Sequence, residues 1–410
     1  MARNPQLVST QRKIVAAMLL WAAVWFATPV LAESTFSMAG GKTMTVVPFE
    51  LIDNRVFVEA WLDGQGPFHF ILDTGADGFS IVDAAARRLT LSVDDGGQGS
   101  GVGEKTVRMG RTHLARIRIG DLQFENVDAT VFPGNDAPNV FGTKPLDGWV
   151  GLEIFRHLVV KHDYVGRKLT LTLPDKFRYQ GHGVIVPFDR PWLIPVVDAT
   201  LDGVAGKFGV DTGARSSLLL YGPFVEENGL QARYDAHLEG VTGWGIGGPV
   251  RSLLARAREL RIGGAVVRDL VVRFSTQKKG LTTSSDMAGL IGPDVLSQFD
   301  LTVDYARNRL IFDRNKNYGR RDSYDRAGMW MGQDGDHFTV VDVIAGGPAD
   351  EAGIKPGDTI LAIDGTSTNK LVLPDVRENI RRATVGRKMT VTLESSGSIR
   401  AAAVTLRDLV

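Results

Sequence analysis

Cysteine is absent from all 410 residues. Its absence excludes a disulfide framework, a thiol nucleophile, any thiolate metal site and a lipid-bearing cysteine behind an export signal. Net charge is missing as well, with 47 basic side chains against 47 acidic ones. Composition therefore gives no reason to expect nucleic acid or an anionic membrane surface as partner. A local basic cluster, Arg377, Arg381, Arg382, Arg387 and Lys388, has a spacing that suits the solvated face of a helix. Histidine is scarce. The seven present show no metal-ligand spacing, and His157 and His162 fall five apart on what reads as a strand. No metal and no organic cofactor are expected. Ser80 and Ser216 lack a Gly-x-Ser-x-Gly setting, so serine chemistry has no support.

Long apolar runs are also missing, except at the start. Arg3, Arg12 and Lys13 precede an apolar stretch from Ile14 to Thr28, and Pro29-Val30-Leu31-Ala32 follows. A basic segment, a short apolar core and small residues make a secretory signal, residues 1–32, with cleavage after Ala32. The alternative is an uncleaved anchor, but spanning takes roughly 20 apolar residues and this core is shorter. Removal is the expectation, with no membrane span left afterwards. An exported protein without cysteine fits the bacterial periplasm, or secretion, better than a disulfide-stapled extracellular setting.

At this length two or three domains are expected, and 43% hydrophobic with 23% charged residues is ordinary for a soluble globular chain. From Lys42 onward apolar and polar residues alternate in short runs broken by glycine, which predicts a mainly β protein. A stretch around 78–90 is a modest helical exception. The halves repeat one another in order. Val47-Pro48-Phe49 returns as Val186-Pro187-Phe188, and the strand ending Leu62-Asp63-Gly64 returns as the one ending Leu201-Asp202-Gly203. Arg118-Ile119-Gly120 answers Arg261-Ile262-Gly263, and Gly148-Trp149-Val150-Gly151 answers Gly289-Leu290-Ile291-Gly292. His162-Asp163-Tyr164 answers Val303-Asp304-Tyr305. The body is therefore an internal duplication. The expected divisions are 33–179, 180–318 and, after the polar stretch Asn315–Arg326 read as a linker, a third unit at 319–410. That unit carries a candidate helix at Leu373–Ala383 and a strand at Lys388–Leu393.

Each half holds one Asp-Thr-Gly at the end of a β-like run. The first is Asp73-Thr74-Gly75 and the second Asp211-Thr212-Gly213, with the aspartates 138 residues apart (211 − 73). Two carboxylates brought face to face cannot both ionise comfortably, so they share a proton and can activate a water between them. The glycines are expected to allow a tight turn that brings N–H groups to the carboxylate.

With these residues in hand, each half resembles a lobe of the pepsin and retropepsin superfamily over Lys42 to Asp313. Ala76 and Ala214 after the triplets are closer to retropepsins, while both lobes on one chain follow the pepsins. The resemblance implies that Trp149-Val150-Gly151 and Leu290-Ile291-Gly292 pack behind the loops, and that Thr74 and Thr212 bond across the lobe interface. The last unit is similar to a small α+β PDZ domain of the kind attached to bacterial periplasmic proteases. It carries Gly347-Pro348-Ala349, Lys355-Pro356-Gly357-Asp358 and Ile363-Asp364-Gly365. In that family a Gly-apolar loop binds a ligand's C-terminal carboxylate. Its best match here is Gly328-Met329-Trp330-Met331, with Trp330 in place of a small residue.

Flaps are expected at Gly96–Gly103, including Gly101 and Val102, and at Gly240–Gly248, where Trp244 is the one large side chain. The second also fits a Gly-x-Gly-x-x-Gly pattern, but Pro249 and strand-like alternation follow instead of a helix. The expected activity is endopeptidase cleavage of proteins or peptides through Asp73 and Asp211, with the PDZ-like unit positioning substrate, through a C-terminal peptide ligand, or gating access. The alternative is a peptide-binding protein that keeps the fold without cutting. Two intact acidic triplets argue against it, because a pure binder has no need of two buried like charges.

Overall fold

Type I′ turn chemistry builds both halves. Asp63-Gly64 and Asp202-Gly203 sit at positive φ (49° and 83°, 46° and 86°), the conformation that turns a two-residue hairpin with the native strand twist. Each turn feeds the strand that ends at a triplet: Gln65–Leu72 before Asp73 and Val204–Val210 before Asp211. Each turn aspartate is also tied down, since Asp63 Oδ1 accepts from the Arg116 N–H (2.7 Å) and Asp202 Oδ1 from the Glu259 N–H (2.8 Å).

The computed structural model describes residues 34–134, 139–142, 144–190 and 193–410. The expected export signal at 1–32 lies outside them. Among the described residues no helix is long and apolar enough to cross a membrane. Lobe 1 is a nine-stranded sheet and lobe 2 a seven-stranded one. A third, six-stranded sheet takes three strands from each half: Val184–Pro187, Arg309–Arg314, Phe299–Asp304, Val159–Asp163, Lys168–Thr172 and Met44–Pro48, in that order. Its central pair joins the halves in antiparallel register, with Val160 opposite Val303. The repeated Val-Pro motifs thus form the two outer strands of a shared floor. One apolar core runs through both lobes and the floor, with Phe70, Phe124, Phe155, Phe208 and Phe312 fully buried.

The fold is mainly β, and helices are short. Within the stretch expected to be helical at 78–90, Phe79–Val82 is a strand and only Asp83–Arg88 coils. Phe79 and Ile81 are claimed by pairing with Gly148–Val150, which overrides the helical spacing. His157 ends the helix Leu152–His157, whereas His162 lies on a strand, stacked near Phe155 and Tyr164. Burial pushes the His162 imidazole down to about 4, so it packs as a neutral ring.

The third unit is a six-stranded sheet with its own core, centred on Met331, Phe338, Ile360 and Val391. The helix Leu373–Arg382 forms as its periodicity predicts, with Pro374 in the first turn. Its basic face differs from the expectation. Arg377 is 3% exposed and the Arg381 side chain 11%, because both point into the body of the molecule; Arg382 and Arg387 stay in water. The polar stretch read as a linker is docked as well. The Tyr318 hydroxyl donates to Val266 O (2.8 Å), the buried Tyr324 hydroxyl to Val241 O (3.2 Å), and Asp322 accepts from the Val271 N–H (2.9 Å). The tyrosines and aspartate of this polar run supply the partners that buried backbone groups require.

Candidate active site

The two triplets meet at the junction of the lobes. Strand Gly148–Val150 inserts beside Gln65–Leu72 in parallel register, so that Val150 O accepts from the Asp73 N–H at 2.9 Å. Gly289–Ile291 does the same beside Val204–Val210, and Ile291 O accepts from the Asp211 N–H at 2.9 Å. The apolar-Gly segments therefore sit behind the loops. They need glycine there: a Cβ on Gly151 would lie 2.0 Å from Ala76 O, and one on Gly292 would lie 2.2 Å from Ser216 O.

Thr74 and Thr212 are fully buried and lock the loops reciprocally. Each hydroxyl accepts the other threonine's N–H at 3.0 Å. Each also donates across the interface, Thr74 Oγ1 to Val210 O (2.6 Å) and Thr212 Oγ1 to Leu72 O (3.0 Å). Four hydrogen bonds in a fully buried junction hold the two aspartates in a common frame.

Asp73 and Asp211 are half-buried and face each other: a Cβ on Gly213 would stand 2.3 Å from Asp73 Cγ, and one on Gly75 would stand 3.5 Å from Asp211 Cγ. Burial raises both above the usual carboxylate range, and the facing Asp211 charge raises Asp73 further. The pair is not symmetric. Asp211 Oδ1 accepts the N–H groups of Gly213 and Ala214, both at 2.9 Å, whereas Asp73 Oδ1 accepts only that of Gly75, at 2.7 Å. Donors stabilise an anion, so Asp211 is the better ionised member and Asp73 the better proton holder. Gly75 and Gly213 differ from the sequence expectation in their reason for being glycine. Neither adopts a positive φ. A Cβ on Gly213 would stand 2.3 Å from Asp73 Cγ, and one on Gly75 would stand 3.2 Å from Asp73 Oδ1. The missing side chain lets the second loop approach the opposite carboxylate, while at Gly75 it makes room for the carboxyl of the first loop's own aspartate.

Three charged residues that sequence reasoning missed, Asp53, Arg55 and Arg215, surround this frame together with Arg377, whose spacing reads as a solvated face. Asp53, on the turn before strand Arg55–Leu62, receives Arg55 (2.7 Å), Arg215 (2.7 Å) and Arg377 (3.4 Å). Arg55 Nε also donates to Gly213 O (2.9 Å), and Asn54 Nδ2 donates to Arg215 O (2.7 Å), so lobe 1 grips the second loop from behind. The field of Arg55 reaches both aspartates and favours their ionised forms. The three guanidinium groups outweigh burial and hold the Asp53 carboxyl down at about 2. One signal was available: the residue after Gly-Ala is Asp77 in the first half and Arg215 in the second, a break in an otherwise close repeat.

The expected flaps are hairpins, Asp94–Gly99 with Val107–Ile119 and Leu238–Gly245 with Gly248–Ile262. Their tips meet. The Gly103 N–H donates to Ile246 O and the Lys105 N–H to Gly247 O, each at 2.9 Å, and Gly101 O accepts from the Leu281 N–H at 3.0 Å. Val102 packs against a small apolar cluster of Ile194, Val196, Tyr221 and Leu290, where Tyr221 feels the Asp211 charge. Trp244, the one large side chain of the second flap, packs with Val140, Val241 and Trp330 against the third unit. Gly328, Met329, Trp330 and Met331 are all buried, at the start of the edge strand Met329–Asp334.

A duplicated β body with paired Asp-Thr-Gly loops and a small appended module defines a class. Residues 58–152 and 197–295 match the aspartyl protease family, and residues 339–395 match the PDZ domain family. No curated protein matches the chain at a significant level. The chain is thus built from two retropepsin-like aspartyl protease segments followed by a C-terminal PDZ domain.

Proposed function

We propose that this protein is an aspartic endopeptidase of the bacterial periplasm, cutting extended protein segments with a water activated between Asp73 and Asp211. The observation that carries the reading is the facing of those two half-buried carboxyls, each within close reach of the other loop's glycine and held by the Thr74–Thr212 lock. Asp211 takes a proton from the water as its oxygen attacks the peptide carbonyl carbon, while Asp73 gives its proton to the carbonyl oxygen. A neutral gem-diol results. Asp211 then passes its proton to the departing nitrogen, the C–N bond breaks, and Asp73 recovers its proton from a gem-diol hydroxyl. Atoms and charges balance, and the dyad returns to its singly ionised state.

The tips bonded across the cleft must part to admit a substrate and can reclose to exclude water. Export follows from the basic-apolar-small pattern of residues 1–32. The test uses an unfolded substrate. Cleavage abolished by Asp73→Asn and by Asp211→Asn supports the peptidase, and cleavage that survives both refutes the assigned pair. A protein that binds such substrates tightly and never cuts them is the binding-protein alternative.

A further inference from the structure

The start of the PDZ edge strand is where the family's ligand loop lies, and here it is covered from both lobes. Residues Asn139–Gly142 of lobe 1 lie between that strand and the helix Leu373–Arg382. Asn139 pairs antiparallel with Gln333, whose N–H donates to Asn139 O at 2.7 Å. A Cβ on Gly142 would stand 3.2 Å from Pro374 Cδ and 3.3 Å from Gln333 Oε1. Val140 packs on Trp330, with Val241 of the lobe 2 hairpin against the same cluster. Trp330 is 5% exposed, and the Arg377 guanidinium stands 4.4 Å from its ring centre. The N–H groups of Ala327 and Gly328 are both spent on Asp325 Oδ1 at 2.9 Å.

The same module holds the lobe 2 hairpin. Asp342 Oδ2 accepts the Val241 N–H at 2.7 Å, and its Oδ1 takes Arg251 Nη1 at 3.0 Å. Gly240 is pressed so close that a Cβ there would stand 2.7 Å from Ile344 Cγ1. A few residues further along, the tip of this hairpin bonds the lobe 1 hairpin across the cleft.

We propose that the PDZ groove takes its peptide in cis, the segment Asn139–Gly142. By doing so it clamps the lobe 2 hairpin, with Asp342 as the positioning residue, in the closed arrangement over Asp73 and Asp211. The clamp is an extended-strand addition of the kind PDZ domains use, turned inward. A free peptide enters this groove only by displacing the segment, and displacement loosens the hairpin. The proposal deepens the peptidase reading and rests on it for its catalytic consequence; the clamp itself is structural and is tested without activity.

The experiment is amide hydrogen exchange on the full chain. Three variants are compared with the parent: Asp342→Asn, which touches the hairpin, and Asn139→Ala and Gly142→Val, which act on the lobe 1 segment. Exchange across residues 238–248 is expected to quicken at least about tenfold in all three, while the floor strand Phe299–Asp304 stays protected. Unchanged exchange at 238–248 in the two lobe 1 variants, with the floor intact, overturns the clamp. If Gly142→Val loses floor protection through misfolding, Asn139→Ala decides alone. Peptidase assays add the consequence: KM is expected to rise more than kcat falls, since the dyad is untouched. If parent and variants are all inactive while exchange still quickens, the clamp stands and the peptidase reading fails.

Discussion

Arg377, on the long helix of the PDZ domain, stands 3.4 Å from Asp53, a carboxylate on the turn that supports the second Asp-Thr-Gly loop. Four positions later on the same helix, Arg381 reaches Asp294 of lobe 2 at 2.6 Å and Asp322 at 2.8 Å. One helix face thus binds both lobes through buried charge, immediately behind the site.

Breaking that cluster should be costly. Asp53→Asn leaves three buried guanidinium groups around a neutral side chain, and losing one partner of such a network typically costs about 3–5 kcal/mol. Urea unfolding is the measurement; a loss under 1 kcal/mol would show the charges to be solvated. The pH sign is determined as well. Asp53 is held at about 2 from an ordinary 3.8, so its contribution is present above 3.8 and lost as pH falls through 2.

The dyad has the opposite sign. Burial raises Asp73 above its unfolded value, so its protonated form favours folding, and stability is lost as pH rises through the folded value. Asp73→Asn, which removes the titration, is therefore expected to raise Tm at neutral pH while abolishing cleavage. Calorimetry at pH 5 and pH 8 checks this. A variant less stable than the parent at pH 8 contradicts it.

Removing either threonine hydroxyl strands a buried N–H on the other loop. Thr212→Ala and Thr74→Ala should each cost about 1–3 kcal/mol, with Thr→Ser restoring most of it. In a double-mutant cycle the second loss should be smaller than the first, because both act through one junction. Strict additivity would mean that the loops are held by something else.

Gly213→Ala is expected to harm activity more than Gly75→Ala. The added methyl meets Asp73 Cγ at 2.3 Å in the first case and Asp73 Oδ1 at 3.2 Å in the second. Steady-state kinetics on the two variants settles the order, with kcat as the readout.

Ala76 and Ala214 cannot donate a side-chain hydrogen bond to the ionised carboxylate. A mildly acidic to neutral optimum is expected, and Ala214→Ser should move the acid limb of the pH–rate profile downward. A parent optimum as acidic as that of a gastric pepsin would be incompatible with this account.

Much of the fold was legible because its causes are local. Period-two alternation marks strands, Asp-Gly marks their hairpins, and the ordered matches between halves mark a duplication. The paired aspartates and the Gly-rich hairpins followed from the same repeats. The inward face of Leu373–Arg382 was not legible, since arginines at this spacing face water in most helices. The packing of Trp244 was not legible for a related reason: its partner, Trp330, lies in another domain.

The sequence by itself determined two β halves, each with an acid on a tight loop, and a small module behind them. Only the tertiary structure decided which N–H donors each carboxylate takes, why Gly213 must lack a side chain, and that Asp53 gathers arginines from three parts of the chain. The physical reason is range. Alternation and turns act over a few residues, but burial of charge is settled by partners more than 100 positions away, and those exist only once the chain has folded.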